Sequence, residues 1–261
     1  WLIPHFEKML YDNAQLAGVY LHAYLITGDD SLRRICEETL DFIVRELTHP
    51  KGGFYSSLDA DTEGEEGIFY LWTIEEIRRV LADSTDFEFF LAAYAPPENG
   101  NFEGKIILQR TLSDEQLADR FHIDRQKVTT WLGRLHSLLL EARNQKVRPG
   151  TDDKVLVAWN ALALSVISEA ARYLGRQDYL EVAMRNASFL LAEVRSGNRL
   201  MRSWRAGHAT HSAYLEDYAA LILALLDLYQ SDPNPKWYST ARSSLEEMIA
   251  HFHDGPDGFY D

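Results

Sequence analysis

Asp152 and Asp153 stand directly before Lys154 in RPGTDDKVLVAWN, Glu216 and Asp217 follow Tyr214 in YLEDYA, and His5, Glu7, Lys8 and Asp12 fall within HFEKMLYDNAQL. Two carboxylates facing each other across a bond, one protonated and one ionised, can hydrolyse a glycosidic linkage. A histidine with a partner can instead take a proton from carbon and so epimerise it. Carboxylates dominate these stretches, so a carboxylate-driven hydrolase lies nearer to the residues than a histidine epimerase. Asp152, Asp153, Glu216, Asp217, Asp12 and His5 are the candidate catalytic groups. Glu7, Lys8, Asp59, Asp61, Tyr70, Trp72, Arg148, Lys154, Trp159, Asn160 and Tyr214 are the candidate substrate contacts. A structural reading competes. In it Asp152 caps a helix, Asp153 favours the helix dipole, Lys154 is solvated, and polar groups inside the helices brace them.

The acidic run from Asp59 to Gly67 invites two narrower readings. Asp59, Asp61, Glu63 and Gly64 match the first positions of a calcium loop, but Tyr70 stands where a bidentate Glu is required. Asp59-Ala60-Asp61-Thr62 is also similar to the acid motif of class II terpene cyclases, yet a cyclase wants its acid in an apolar cavity. A hairpin loop over a funnel fits better, with Asp59 and Asp61 facing in and Glu65 solvated. Tyr70 and Trp72 would then alternate on a following strand and stack on a ligand or pack in the core.

Such groups need elements to hold them. Pro149 and Gly150 break the preceding helix, Thr151 or Asp152 can cap the next, and Val155 to Leu164 is apolar nearly all round. A helix without a polar face is an inner helix. Apolar spacing also predicts a helix from Pro4 to Ile26, ended by Gly28, and an amphipathic one from Asp29 or Asp30 to about Leu47. A glycine turn into a short strand at Phe54-Tyr55 follows. The pattern returns twice: inner helix 154–174, outer helix 178–194, a Gly-Asn turn and Leu200-Met201; then 214–230, 235–252 and Gly258-Phe259-Tyr260. The separation of Tyr24 from Phe54 equals that of Tyr229 from Phe259. These are αα-hairpin repeats. Between the first two copies we expect strands at Ile68–Thr73 and Lys105–Gln109. Helices are expected near Ile74–Ala82 and Thr85–Ala95, one capped by Ser113 with Gln116, and one from Asp124 to about Arg143. No segment looks like a linker, so one domain is expected.

In a ring of such hairpins the inner helices run parallel and their N-termini meet. Asp12 and Asp217 then share one repeat position, with Asn160 or Ala161 as the middle equivalent. Acids crowded there should include one of raised pKa.

The 261 residues carry a net charge of −14, which argues against nucleic acid and anionic membrane as partners. Hydrophobic residues make up 46% and suffice for a sizeable core, yet no run is long enough to span a membrane. Cys36 is the lone cysteine and fits a reducing, cytoplasmic setting, although a signal upstream of Trp1 would escape notice. Neither cofactor nor metal is expected, since no Cys/His zinc spacing, P-loop or GxGxxG occurs.

HFEKMLYDNAQL, GGFYSSLDADTEGEEGIFYLWT, RPGTDDKVLVAWN and YLEDYA, in that order, resemble the thioredoxin-domain-containing family related to spermatogenesis-associated protein 20. The resemblance covers most of the chain. It implies an all-α (α/α)6 toroid, similar to N-acylglucosamine 2-epimerases and six-hairpin glycosidases, with short β-hairpins at one end. Of the histidines near motif ends (His5, His208 and His211), only His5 lies in a family motif. No CxxC is present, so we expect a toroid fragment without the family's thioredoxin-like domain. The expected function is carbohydrate-directed, hydrolase- or epimerase-like, with a carbohydrate or small molecule as ligand. The alternative is a non-catalytic toroid that binds protein or glycan beside a thioredoxin-like domain. A partial ring should also bare apolar flanks on helices 6–26 and 214–230, so either self-association or marginal solubility is expected.

Overall fold

The computed structural model describes residues 3–197, 199–255 and 258–260. In chain order its elements are β1 (Lys8–Met9), α1 (Leu10–Thr27), α2 (Asp30–Glu46), β2 (Ser57–Leu58), β3 (Asp61–Thr62), β4 (Glu65–Glu66), α3 (Ile74–Val80), α4 (Ser84–Tyr94), α5 (Asp114–Phe121) and α6 (Arg125–Arg143). There follow β5 (Thr151–Asp152), β6 (Val155–Leu156), α7 (Val157–Leu174), α8 (Gln177–Glu193), β7 (Arg195–Ser196), β8 (Arg199–Arg205), β9 (His208–Ser212), α9 (Leu215–Ser231) and α10 (Pro235–Phe252). The fold is of the all-α toroid class, built on αα-hairpins with short strands between them. Packing divides the chain into two compact units although no linker-like segment marks the boundary. One comprises Trp1–Glu7 and Asp59–Gly150, the other Lys8–Leu58 and Thr151–Asp261.

The second unit holds three hairpins, α1/α2, α7/α8 and α9/α10. Glycines set the first two turns. Gly28 and Gly175 adopt φ of 70° and 67°, and their N–H groups bond back to Tyr24 and Ala171. The third turn uses Asn234, whose side chain caps α10, with Pro235 at its first position. The inner helices are parallel. Tyr11 meets Trp159 and His22 meets Glu169 between α1 and α7, while Asp217 bonds Ala158 and Asp227 bonds Ser165 between α9 and α7. Gly18 permits the close approach of α1, since a Cβ there would lie 3.1 Å from Val166. As the central helix, α7 buries residues on several sides, among them Val157, Ala161, Leu164 and Ile167.

Asn160 ties this layer to its surroundings. Its Oδ1 accepts from the Phe54 N–H at 2.7 Å and from Asn186 Nδ2, and its Nδ2 donates to the carbonyls of Phe54 and Leu156. It is fully buried. The expected ligand role of Asn160 is therefore corrected: every polar atom is already engaged, and none faces solvent.

In the first unit, helix starts follow their caps. Thr73 with Glu76 and Ser113 with Gln116 form capping boxes at α3 and α5, and Asp124 caps α6. The core stacks Phe89 on Trp131 at 4.0 Å between ring centroids. Asp86, at the start of α4, accepts from Trp131 Nε1 at 2.6 Å and from Arg134.

Several expected boundaries move. The first helix begins at Leu10 rather than Pro4, because Lys8 and Met9 pair with β2 and the Leu10 N–H bonds Ser56. Thr151 and Asp152 do not cap α7; they pair with Leu58 and Ser57, and α7 starts at Val157. Ile68–Tyr70 is a turn rather than a strand, and Trp72 makes a single bridge to Ile106, so Lys105–Gln109 is not a full strand either. The Gly-Asn turn includes Asn198, and the final motif adjoins Asp261; both lie outside the described residues.

Replacing Asn160 by Ala strips partners from two backbone carbonyls, one N–H and the Asn186 amide. We expect Asn160→Ala to lower unfolding free energy by at least about 3 kcal/mol. Asn160→Asp, which cannot donate to Phe54, should cost a comparable amount. Urea unfolding of both variants checks this.

Candidate functional site

Two small sheets bring polar residues to the N-terminal end of the inner helices of the second unit. In the order β1-β2-β5, Met9 faces Ser57 and Ser57 faces Asp152, which holds the starts of α1 and α7 side by side. In the other sheet, β8 pairs Trp204 and Ser203 with Val155 and Leu156 of β6, and carries β9 on its far side. The chain leaves β9 at Ser212 and enters α9 at Leu215. All three inner helices thus begin at strand ends.

There, Trp159 and Tyr11 lie with ring centroids 4.7 Å apart, both half-buried. Asp12 follows Tyr11 in the first turn of α1. Every other candidate acid at this end has a cation beside it. Lys154 Nζ sits 3.1 Å from Asp152, Arg205 Nε 2.5 Å from Asp153, and one Arg202 nitrogen lies 2.7 Å from Glu216 and 3.2 Å from Asp217. Arg202 also covers the exposed ring of Tyr214 at 4.3 Å. Lys8 is placed in β1, opposite Leu58.

Environment separates the two best-held carboxylates. Burial alone would raise Asp152, but hydrogen bonds from Lys154 and Ser56 outweigh it and hold the carboxyl below its usual range. Asp217 moves the other way. Burial pushes it up, although the N–H groups of Tyr214 and Ala158 and the Arg202 charge pull against this. Asp217 is 1% exposed, and its oxygens accept from Ala158 at 3.1 Å and Tyr214 at 2.9 Å. It closes the start of α9 and clasps it to α7, so its carboxylate is committed to the frame.

Sequence reasoning missed Arg202 and Arg205, the cations that set this charge pattern. The signal present was the Ala206-Gly207 turn, with φ values of 49° and 88°, between LMRSWR and HATHS.

The remaining candidates belong to the first unit. His5 is exposed and stands 3.8 Å from Glu7. Asp59 and Asp61 are exposed, with Asp59 Oδ1 accepting from the Asp61 N–H in a local turn, and Glu65 is solvated while pairing Lys105. Tyr70 stacks on Phe6 at 6.3 Å under Arg143, and Arg148 lies at 6.0 Å from the Phe69 ring. Trp72 is corrected from a ligand contact to a core residue: it is buried beside Ile77 and Phe90, with Lys146 over its face at 4.4 Å. Among the described residues no group of three or more His, Cys, Asp or Glu is placed to hold a metal ion, and no helix is long and apolar enough to cross a membrane.

No family model matches the chain. It is 33% identical to human spermatogenesis-associated protein 20 over its whole length, and 32% identical to the mouse protein. The chain is a homologue of the spermatogenesis-associated protein 20 sequences, matched along the whole of its own length. It spans 37% of the length of those two relatives. An uncharacterised protein of Caenorhabditis elegans is 30% identical over 88% of the chain and 36% of its own length. Among solved structures, a sugar epimerase from a ruminal bacterium is 15% identical with a TM-score of 0.38, over 98% of this chain and 80% of its own. D-mannose isomerase is 11% identical with a TM-score of 0.41, over 97% and 62%.

Opposite pH dependences follow for the two aspartates. Asp152 has a depressed folded pKa, so its stabilisation is present above the unfolded carboxylate range and is lost as pH falls through the folded value. Asp217 has a raised folded pKa, so its most favourable contribution lies below the unfolded value and is lost as pH rises through the folded one. The stability gap between wild type and Asp152→Asn should therefore shrink on acidification. That between wild type and Asp217→Asn should shift in favour of the variant as pH rises. Urea midpoints measured across the acid range report both trends.

Proposed function

We propose that the second unit carries a carbohydrate-binding site at the N-terminal end of its inner helices, serving hydrolase- or epimerase-like chemistry in the whole protein. The carrying observation is the Tyr11–Trp159 ring pair at the same end as three cation-paired carboxylates. Aromatic faces take the C–H face of a sugar, while carboxylates and guanidinium groups take its hydroxyls. Asp152, held ionised by Lys154, suits the part of a general base or hydroxyl acceptor. Asp217 does not suit the acid a hydrolase requires, because both its oxygens are spent on backbone N–H groups. That favours proton abstraction or plain binding over hydrolysis by a pair from this unit.

A non-catalytic glycan-binding toroid is the second reading, and one observation favours it. Asp152, Asp153 and Glu216 are each neutralised by a near cation, which dulls them as catalysts.

Saturation-transfer NMR with neutral aldoses, amino sugars and uronic acids tests the site. At least one class should bind, and Trp159→Ala should weaken it roughly tenfold, equivalent to losing about 1.4 kcal/mol of ring contact. Tyr11→Ala should act in the same direction, and Asp152→Asn should remove hydroxyl contacts. Binding without any conversion of the bound sugar would select the second reading. Failure of every class to bind would overturn the proposal.

A further inference from the structure

Lys236, Thr240, Ser243 and Glu247 recur at spacings of four, three and four residues, so they share one face of α10. With Leu191 near the end of α8 and Arg195 in β7, they line a cavity of about 450 Å³. That volume falls within the range of small-molecule sites, about 300–1,000 Å³. The whole lining belongs to the second unit.

The cavity is basic although the chain carries a net charge of −14. Its one carboxylate among the described residues is already answered. Glu247 Oε1 accepts from the Tyr218 hydroxyl at 2.5 Å, and Oε2 lies 3.4 Å from the Arg195 guanidinium. Burial, with that bond to Glu247, pushes the Tyr218 hydroxyl up to about 12, so it keeps its proton and goes on donating. Arg195 also reaches Ser244 Oγ at 3.4 Å, and Ser244 is 1% exposed, which sets the guanidinium against the wall. Lys236 has no carboxylate within ion-pair distance among the described residues. Its ammonium lies 4.8 Å from the ring of Trp237, which is buried and donates to Asp232 at 2.8 Å. Ser243 Oγ donates to the Thr240 carbonyl at 3.0 Å, and the Thr240 hydroxyl makes no hydrogen bond among the described residues.

An ammonium, a guanidinium and a hydroxyl around one cavity suit an anion with several acceptor oxygens, where charge-assisted bonds are strong. Two cations, set against one carboxylate that Tyr218 shares, suit a phosphate monoester of charge about −1.5 to −2 better than a singly charged acid. Leu191 adds a carbon surface that an inorganic ion cannot use. We propose that this cavity binds a small organic phosphate monoester, with its phosphate on Lys236, Thr240 and Arg195 and its carbon part along Leu191. None of these residues belongs to the sugar site at the inner-helix ends, so either site can stand without the other.

Amide NMR on the full chain at fixed ionic strength tests this, with glucose 6-phosphate, inorganic phosphate and glucose as probes. Glucose 6-phosphate should shift the amides of Arg195, Lys236 and Thr240 saturably, inorganic phosphate should do so more weakly, and glucose should leave them unmoved. Lys236→Glu, at an exposed position, should weaken the ester at least tenfold with an unchanged circular dichroism spectrum. Thr240→Val should act in the same direction, and Trp159→Ala should leave ester binding as it was. The inference is overturned by the absence of a saturable shift at these residues by about 10 mM ester. Equal affinity for inorganic phosphate, or a Lys236→Glu chain that binds as tightly as wild type, would overturn it too.

Discussion

Parallel packing of three helices gathers their positive ends at one place, and that end must be answered by acceptors. The first N–H groups of each helix have no partner within it, and the aligned dipoles add to the demand for negative charge. Asp217 meets part of it by taking the N–H groups of Tyr214 and Ala158, joining two helix starts with one carboxylate. The β1-β2-β5 sheet meets another part, through the bond from the Leu10 N–H to the Ser56 carbonyl. Acidic residues at this end are thus a consequence of the architecture before they are a sign of chemistry.

The same constraint governs which acids remain available. An acid that closes a helix start is buried and has its lone pairs engaged, as at Asp217. An acid on the approaching strand, such as Asp152, keeps partial access to water and a flexible lysine partner. Arg202 and Arg205 both sit on β8 and meet Asp217 with Glu216, and Asp153, respectively. A single hairpin thereby balances acids at the starts of α7 and α9. Its removal would leave a buried carboxylate without its cation, which is costlier than losing an exposed pair.

Much of the helical frame was legible in the sequence because its signals are local. Pro235 at a helix start, the Ser113 capping box and the glycines at 28 and 175 act over a few residues, and the helices follow them. The strands were less legible because their pairing is non-local. Lys8 and Met9 continue an apolar helical pattern, yet they are drawn into a ladder with residues far along the chain. Trp72 shows the same limit: alternation placed it on a ligand-facing strand, whereas the core of α4 and α6 claimed its ring. The site inherits both outcomes. Its helix-borne members fell within reach of pattern reading, and its β8 cations did not.

One repeat position holds three different residues with three different fates. Counting from helix starts, Asp12, Trp159 and Asp217 are equivalent, so the middle member is Trp159 rather than the neighbouring Asn160 or Ala161 expected from sequence spacing. The one-residue difference decides which way the side chain turns, because successive residues on a helix point about a quarter-turn apart. Asn160 turns into the layer between α7 and α8 and spends its amide on Phe54 and Asn186. Trp159 turns toward α1 and leaves its ring half-exposed beside Tyr11. Asp217, at the equivalent place on α9, is closed off because α7 lies against it with a free N–H. Asp12, in the first turn of α1, is half-buried. Whether a group at this position is spent on the frame or keeps its own exposure is therefore set by the helix beside it, not by its own chemistry.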